Sequence, residues 1–380
     1  MGTGIKFQVG VIGATGFIGA PYRREMREAR DKFEIVALCA RRREPLEAAA
    51  KEDGCGFITD EWRKVVDSPA VDLLMVATPD RLHHEAVMAG ISAGKHIFCE
   101  KPVGADSRQA FEMWRACREA GLAHYVPFWS RYMAPFLRAR EIVQAGILGE
   151  IKVIMYRWHN PRPASMPFTW RDDASLSAAG SIADVGSHAY DSVRWIVGAE
   201  ATRVLAHAGV ITPPKPDLGN VNLGEALEWG LAHAAAGSKK VRKGSAFDYA
   251  TVAWEFETGA VGAITLSHAP YLRKGLAPEL ELHGTEASLS LDRERNTISV
   301  TRPGQKLPDI EELPQAGPQN RFARYVYPAL AERVSGGESA QPGLEDGYRV
   351  QIFTDAAALS ARRGTWVETS ELERPIPSRK

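Results

Sequence analysis

The chain has 380 residues, 44% of them in the hydrophobic set and 25% charged, proportions that belong to globular proteins and exclude fibrous or disordered ones. Lysine plus arginine and aspartate plus glutamate number 47 each, so no net charge draws the chain to nucleic acid or to an anionic membrane. No run approaches the roughly 18 apolar residues needed to cross a bilayer, and the length predicts two domains, each able to build its own core.

Met1-Gly2-Thr3-Gly4 leads straight into a strand-like run, without the basic start and apolar core of a secretory signal. Cys39, Cys55, Cys99 and Cys117 are scattered and match neither a CxxC pair nor a zinc pattern. These features predict a cytoplasmic protein with reduced thiols and no metal centre.

Lys6 to Ile12 reads as a strand that runs into Gly13-Ala14-Thr15-Gly16-Phe17-Ile18-Gly19 and then a helix from Gly16 to Arg30. Strand, glycine-rich turn and helix form the unit that brings backbone N–H groups up to a pyrophosphate. The spacing is GxxGxxG, one residue away from the usual GxGxxG. Strands follow at Glu34–Cys39, Val71–Ala77 and His96–Cys99, separated by helices over Glu44–Lys51, Leu82–Ala93 and Ser107–Ala120. That alternation predicts a parallel sheet covered on both faces, a Rossmann domain over residues 1–125.

At the end of the second strand, where NAD-binding proteins place an acid on the ribose, the chain has Ala40-Arg41-Arg42-Arg43. Arg41 and Arg42 suit a 2′-phosphate, so NADP stands beside NAD; Glu44 would serve NAD if the turn folds back, and a solvated basic turn is the plain alternative. Ala77-Thr78-Pro79-Asp80 and Glu100-Lys101-Pro102 end two further strands on the expected cofactor edge; a plain strand-to-helix cap by Thr78 or Asp80 fits the first as well. Alone, the tripeptide also fits a surface lysine on a fixed backbone.

Past Gly121–Pro127 the pattern changes to a helix over Pro135–Ala145 and short, turn-separated strands at Ile151–Trp158, Thr202–Val210, Tyr249–Glu257, Gly262–Ser267, Leu280–His283 and Ala287–Leu291. They predict an α+β domain over residues 126–380, built on a large, mainly antiparallel mixed sheet, with the C-terminal helix packing back toward the first domain. Pro213–Lys243, with Lys239-Lys240 and Arg242-Lys243, reads as a surface excursion with a short helix near Glu225–Ala236. Ser181 to Asp191 holds the most informative chemistry: on a helix, Asp184 and His188 share a face, and a carboxylate beside an imidazole suits proton transfer near neutral pH. A plain Asp–His tie within the helix fits the same spacing. His159, His268 and His283 read as isolated polar residues at strand ends.

In combined order, Gly10 to Gly19, Ala77-Thr78-Pro79 with His83, Gly94-Lys95-His96 into Glu100-Lys101-Pro102, Gly146 to Glu150, and Asp184-Val185-Gly186-Ser187-His188 before Asp191 resemble the glucose–fructose oxidoreductase, inositol dehydrogenase and MocA family. The resemblance implies an NAD- or NADP-dependent oxidoreductase that moves a hydride between the nicotinamide and a carbinol carbon of a sugar, inositol or related polyol. It implies catalytic roles for Lys101, Asp184 and His188, and assembly as a homodimer or homotetramer. Gly13, Thr15, Gly16, Phe17, Ile18, Ala40, Arg41, Arg42, Thr78, Pro79, His83, Glu100 and Lys101 are the expected cofactor contacts. Trp129, Arg131, Tyr132, Trp158, Trp170 and Arg171, with the catalytic three, are the expected substrate contacts. Two departures stand out: the longer first turn around Thr15-Gly16, and Trp129-Ser130-Arg131-Tyr132 where relatives carry an asparagine–tyrosine–arginine run. A sugar oxidoreductase that retains its cofactor and an inactive NAD(P)-sensing regulator are the alternative readings.

Overall fold

The computed structural model describes residues 4–219, 221–233, 240–314, 319–338 and 342–374; Lys239 and the end of the expected helix at Ala236 lie outside them. The chain divides into two compact units: Met1–Pro127 with Asn222–Glu225 and Pro318–Tyr348, and Phe128–Val221 with Ala226–Gly317 and Arg349–Lys380. A single cut after residue 125 differs from this division at the boundary, which falls after Pro127, and by those two returns of the chain to the first unit.

In the first unit, strands β1 (Phe7–Ile12), β2 (Phe33–Cys39), β3 (Ile58–Thr59), β4 (Leu73–Val76), β5 (His96–Cys99) and β6 (His124–Tyr125) form one parallel sheet in the order β3-β2-β1-β4-β5-β6. This is the doubly wound dinucleotide-binding order. Helices α1 (Gly19–Glu28), α2 (Arg43–Asp53), α3 (Trp62–Val66), α4 (His83–Ser92) and α5 (Ser107–Glu119) alternate with the strands. All of β4 is buried, as a strand covered on both faces must be. The two-residue strands β3 and β6 were too short to show a period of their own. Phe322, from the returning segment, stacks on Phe98 at 5.3 Å and meets Phe33 edge-on at 5.6 Å; those aromatic contacts account for that segment folding with the first unit.

In the second unit, α6 (Ala134–Gln144) precedes β7 (Ile151–His159), α7 (Ser181–Val197) and β8 (Ala201–Gly209). A small hairpin-like pair, β9 (Lys215–Pro216) and β10 (Val241–Arg242), flanks α8 (Leu223–Ala232) in sequence. The main sheet is completed by β11 (Tyr249–Phe256), β12 (Val261–Ser267), β13 (Leu280–Gly284), β14 (Ser288–Asp292), β15 (Thr297–Thr301), β16 (Asp309–Glu312) and, after α9 (Tyr327–Val334), which belongs to the first unit, and α10 (Leu344–Arg363), whose first residues do, β17 (Val367–Glu368). Its nine strands run β16-β15-β14-β13-β7-β12-β11-β8-β17, with β7 and β12 parallel and every other pair antiparallel. The mixed, mainly antiparallel sheet is the one expected. α7 packs on β7, β11 and β12, which explains why Ile154, Tyr156 and Trp158 of β7 are buried while Val153 and Met155 stay exposed. Among the described residues no helix is long and apolar enough to cross a membrane.

Candidate active site

The glycine-rich turn is built so that backbone, not side chain, fills it. Gly13 has φ +90°, and a Cβ on it would lie 2.3 Å from the Ala77 carbonyl oxygen; Gly19 opens α1 with its Cβ direction 2.3 Å from the Gly13 carbonyl oxygen. Gly16 N–H donates to that same oxygen at 3.1 Å. Ile18 caps α1 without any side-chain hydrogen bond; Ala20 N–H donates to Gly16 O at 3.1 Å and Tyr22 N–H to Ile18 O at 3.4 Å, and Pro21 has no N–H, so the first turn of the helix is closed by the backbone of the glycine-rich turn itself. Thr78 Oγ1, at the adjoining strand end, is buried and makes no hydrogen bond. Close backbone approach at the glycine-rich start of a helix and an unsatisfied hydroxyl beside it together fit the pyrophosphate of a dinucleotide.

At the edge of β2, Ala40 N–H donates to Thr59 O at 3.2 Å, and Arg41 is exposed. Arg42 Nη2 donates to Glu225 Oε1 at 2.7 Å. Glu225 is itself fixed: its N–H donates to Asn222 Oδ1 at 3.0 Å, and its Oε2 accepts from Asn222 N–H at 2.9 Å, a reciprocal cap at the start of α8. The sequence held no sign that this acid, 183 positions away, meets Arg42.

Two expected cofactor contacts turn out to be braces. His83 is fully buried, with one ring nitrogen 2.8 Å from Thr78 O and the other 2.9 Å from Pro102 O. It therefore joins the loops after β4 and β5 and has no ring nitrogen left to offer a cofactor. Glu100 is also buried; it accepts from Tyr22 Oη and, at 3.1 Å, from the Lys101 N–H. Burial raises its carboxyl above the usual range, opposed by Lys101 and Tyr22. Its work is to hold the backbone of Lys101, which is half-buried and followed by a cis bond to Pro102.

In the second unit, between Ser181 and Val193 only Asp184 and His188 escape burial. They are one turn apart on α7, the shared face expected from their spacing. The His188 ring stacks on Trp158 at 5.9 Å and 16°, and meets the edge of buried Phe128 at 6.3 Å and 88°. Trp158 is itself buried, with the Arg293 guanidinium 4.2 Å from its ring centroid. Trp158, expected to touch substrate, is thus the wall that sets the imidazole plane.

Asp184 Oδ2 accepts from Arg162 Nη2 at 3.0 Å and lies 3.4 Å from Arg171 Nε and 3.2 Å from His268 Nε2. The His268 contact is close but not aligned as a hydrogen bond. Burial, with Arg162 beside it, holds that imidazole well below the usual histidine range, so the ring is neutral. His268 is therefore no isolated strand-end residue, and Arg162 was missed altogether because nothing near it in sequence marks a site. Arg131, expected on the substrate, is buried in a bidentate pair with Asp191, Nε to Oδ2 at 2.8 Å and Nη2 to Oδ1 at 2.6 Å; its fork is spent inside the fold. Trp129 and Tyr132 flank it, half-buried and 6.3 Å apart, and Trp170 lies under the Arg171 guanidinium at 4.3 Å.

A doubly wound parallel sheet with a glycine cradle at its carboxyl edge defines the class of dinucleotide-binding Rossmann folds, and the same chain carries a mixed-sheet unit bearing a half-buried histidine. The chain belongs to the Gfo/Idh/MocA oxidoreductase family: residues 7–128 match its NAD-binding Rossmann fold and residues 136–290 its GFO/IDH/MocA C-terminal domain. It is 26% identical to the levoglucosan dehydrogenase of Pseudarthrobacter phenanthrenivorans over 85% of this chain and 86% of that one. It is likewise 26% identical to the D-glucoside 3-dehydrogenase of Escherichia coli, over 96% and 98%. Its fold is that of an oxidoreductase domain protein from Kribbella flavida, with TM-score 0.82, 23% identity and coverage of 96% and 99%.

Proposed function

We propose that this chain oxidises or reduces a carbinol carbon of a sugar or polyol with NAD or NADP, and that His188 is its proton acceptor and donor. The observation that carries this reading is the pair on α7: of a long buried stretch only Asp184 and His188 escape burial, and the imidazole lies nearly parallel to the Trp158 ring. A histidine so held would take the hydroxyl proton of the substrate as the carbon–oxygen double bond forms, and return it in the reverse direction. Gly13, Gly16, Thr78 and the start of α1 would hold the cofactor, which supplies the hydride acceptor when bound. Lys101 is assigned a catalytic role on the Glu100-Lys101-Pro102 motif and the fixed backbone at the end of β5. The names of the relatives, levoglucosan and D-glucoside dehydrogenases, support a pyranose-like substrate.

The test is oxidation of a panel of pyranoses and inositols, followed as NADH or NADPH formation, with each nucleotide added and with any nucleotide carried through purification identified first. His188→Ala is expected to lower kcat by about 10²–10⁴-fold, the range for a lost acid–base group, with NADH binding retained. Full turnover in both His188→Ala and Lys101→Ala would remove the assignment.

Assembly as a homodimer or homotetramer is also proposed. Val153 and Val261, paired across β7 and β12, and the adjacent Met155 are exposed on one face of the sheet, and apolar sheet faces of this kind are covered by partners. Light scattering on the purified protein decides it.

A further inference from the structure

We infer that the substrate of this site carries a carboxylate, bound by Arg171: the protein acts on a sugar acid rather than on a neutral sugar. The inference rests on the proposed oxidoreductase reading and deepens it. All of its geometry lies within the second unit.

Its basis is a charge imbalance. Asp184 Oδ2 is the carboxylate oxygen at the centre of the cluster, and Arg162 already engages it at 3.0 Å. The Arg162 side chain is 6% exposed, and the residue's backbone N–H donates to the His268 carbonyl oxygen at 3.1 Å, which fixes the stem whose guanidinium engages Asp184. Arg171 is left over. Its side chain is 12% exposed, its Nε stands 3.4 Å from the same oxygen, and that nitrogen is buried with no hydrogen bond. Trp170 covers the guanidinium with its ring but brings no full charge. The nearby Lys215–Asp172 pair, 2.6 Å apart and buried, is balanced in itself. His268 is neutral and cannot compensate either way.

Two guanidiniums on one carboxylate leave one surplus positive charge in a largely dry place, and an uncompensated buried cation is costly. A ligand monoanion would match that charge. The planar guanidinium presents parallel N–H donors at the spacing of a carboxylate, and a single surplus charge suits a carboxylate better than a doubly charged phosphate. The placement serves chemistry too. Asp184 and His188 are one helical turn apart, about 6 Å along the α7 axis, so an acid group anchored beside Asp184 would leave a neighbouring hydroxyl of the same sugar for His188.

The experiment is calorimetric binding of matched pairs to the full chain with NADH present: glucuronate against glucose, galacturonate against galactose, gluconate against glucitol, with glucose 6-phosphate as a further arm. At least one acid is expected to bind tenfold or more tightly than its neutral partner, and to weaken as ionic strength is raised. Arg171→Gln should bring that ratio close to one, and Arg171→Lys should restore part of it. Neutral sugars binding as well as their acids, no acid in the panel binding, a preference for the phosphate, or an unchanged ratio in a folded Arg171→Gln protein would each overturn the inference. Failure of the underlying reading looks different: NADH does not bind, or a tightly bound sugar acid is never oxidised with either nucleotide.

Discussion

The two units make their sites from opposite materials. The first offers backbone: Gly13 and Gly19 keep side chains out of the turn, and the nearby acid and histidine, Glu100 and His83, are consumed in holding loops. The second offers side chains, and many of them are charged: Arg131 with Asp191 and Lys215 with Asp172 are buried pairs, and Arg162 and Arg171 stand around the partly exposed Asp184. A backbone site binds what every dinucleotide shares, whereas a side-chain site can discriminate among substrates. The cost of the second design is that its stability hangs on charge pairs that cannot be halved.

Arg131→Ala should therefore have the largest effect on folding. It leaves Asp191, which is fully buried, without its bidentate partner, and breaking one side of a buried pair costs about 3–5 kcal/mol. Urea unfolding measures it, and a loss below about 1 kcal/mol would mean that the pair is dispensable. In the first unit the matching liability is a neutral histidine. Leu344 N–H donates to His124 Nδ1 at 3.1 Å, which requires that nitrogen to be unprotonated. Burial pulls its pKa from the ordinary 6.5 down to about 4. The unfolded chain then binds more protons than the folded one between those values, so stability is full above pH 6.5 and falls as the pH drops toward 4, by about 3 kcal/mol in all. Unfolding midpoints measured across that window should slope less steeply in His124→Asn, whose side-chain oxygen can still accept from Leu344.

The same contrast explains what could be read without coordinates. The sheet of the first unit was legible because its strands are nearly continuous apolar runs and its turn is marked by glycines at short spacing. Asp184 and His188 were legible because four residues on a helix is a local relation. Arg162, His268 and Glu225 were not, since each reaches its partner only through the tertiary fold. Arg131 and Trp158 were misread for a related reason: sequence identifies a residue able to bind sugar, but not whether Asp191 or His188 has already engaged it. The short strands β3, β6 and β17 escaped because two residues carry no periodicity.

The backbone site can be broken by one methyl group. Gly13→Ala places a Cβ against the Ala77 carbonyl at a positive φ; strain of about 1–3 kcal/mol should weaken NADH binding roughly 10–100-fold in a fluorescence titration. Wild-type affinity in that variant would show that the turn is not where the cofactor is held.

The smallest effect tests a charged side chain of the first unit near its expected cofactor edge. Arg42 lies just past the end of β2, where the adenosine ribose sits in this fold, yet its Nη2 is already donated to Glu225. A 2′-phosphate would have to compete with that carboxylate, both for the hydrogen bond and through like-charge repulsion, whereas a free 2′-hydroxyl would not. Glu225→Gln keeps the cap on Asn222 N–H through its amide oxygen and removes the negative charge. The KM for NADP⁺ should fall about tenfold, or roughly 1.4 kcal/mol, while the KM for NAD⁺ moves little. Arg42→Ala in the same background should cancel the gain, because the phosphate then has no freed guanidinium to meet. An unchanged ratio of the two KM values in Glu225→Gln would place the discrimination elsewhere on the β2 edge, with exposed Arg41 the next residue to vary.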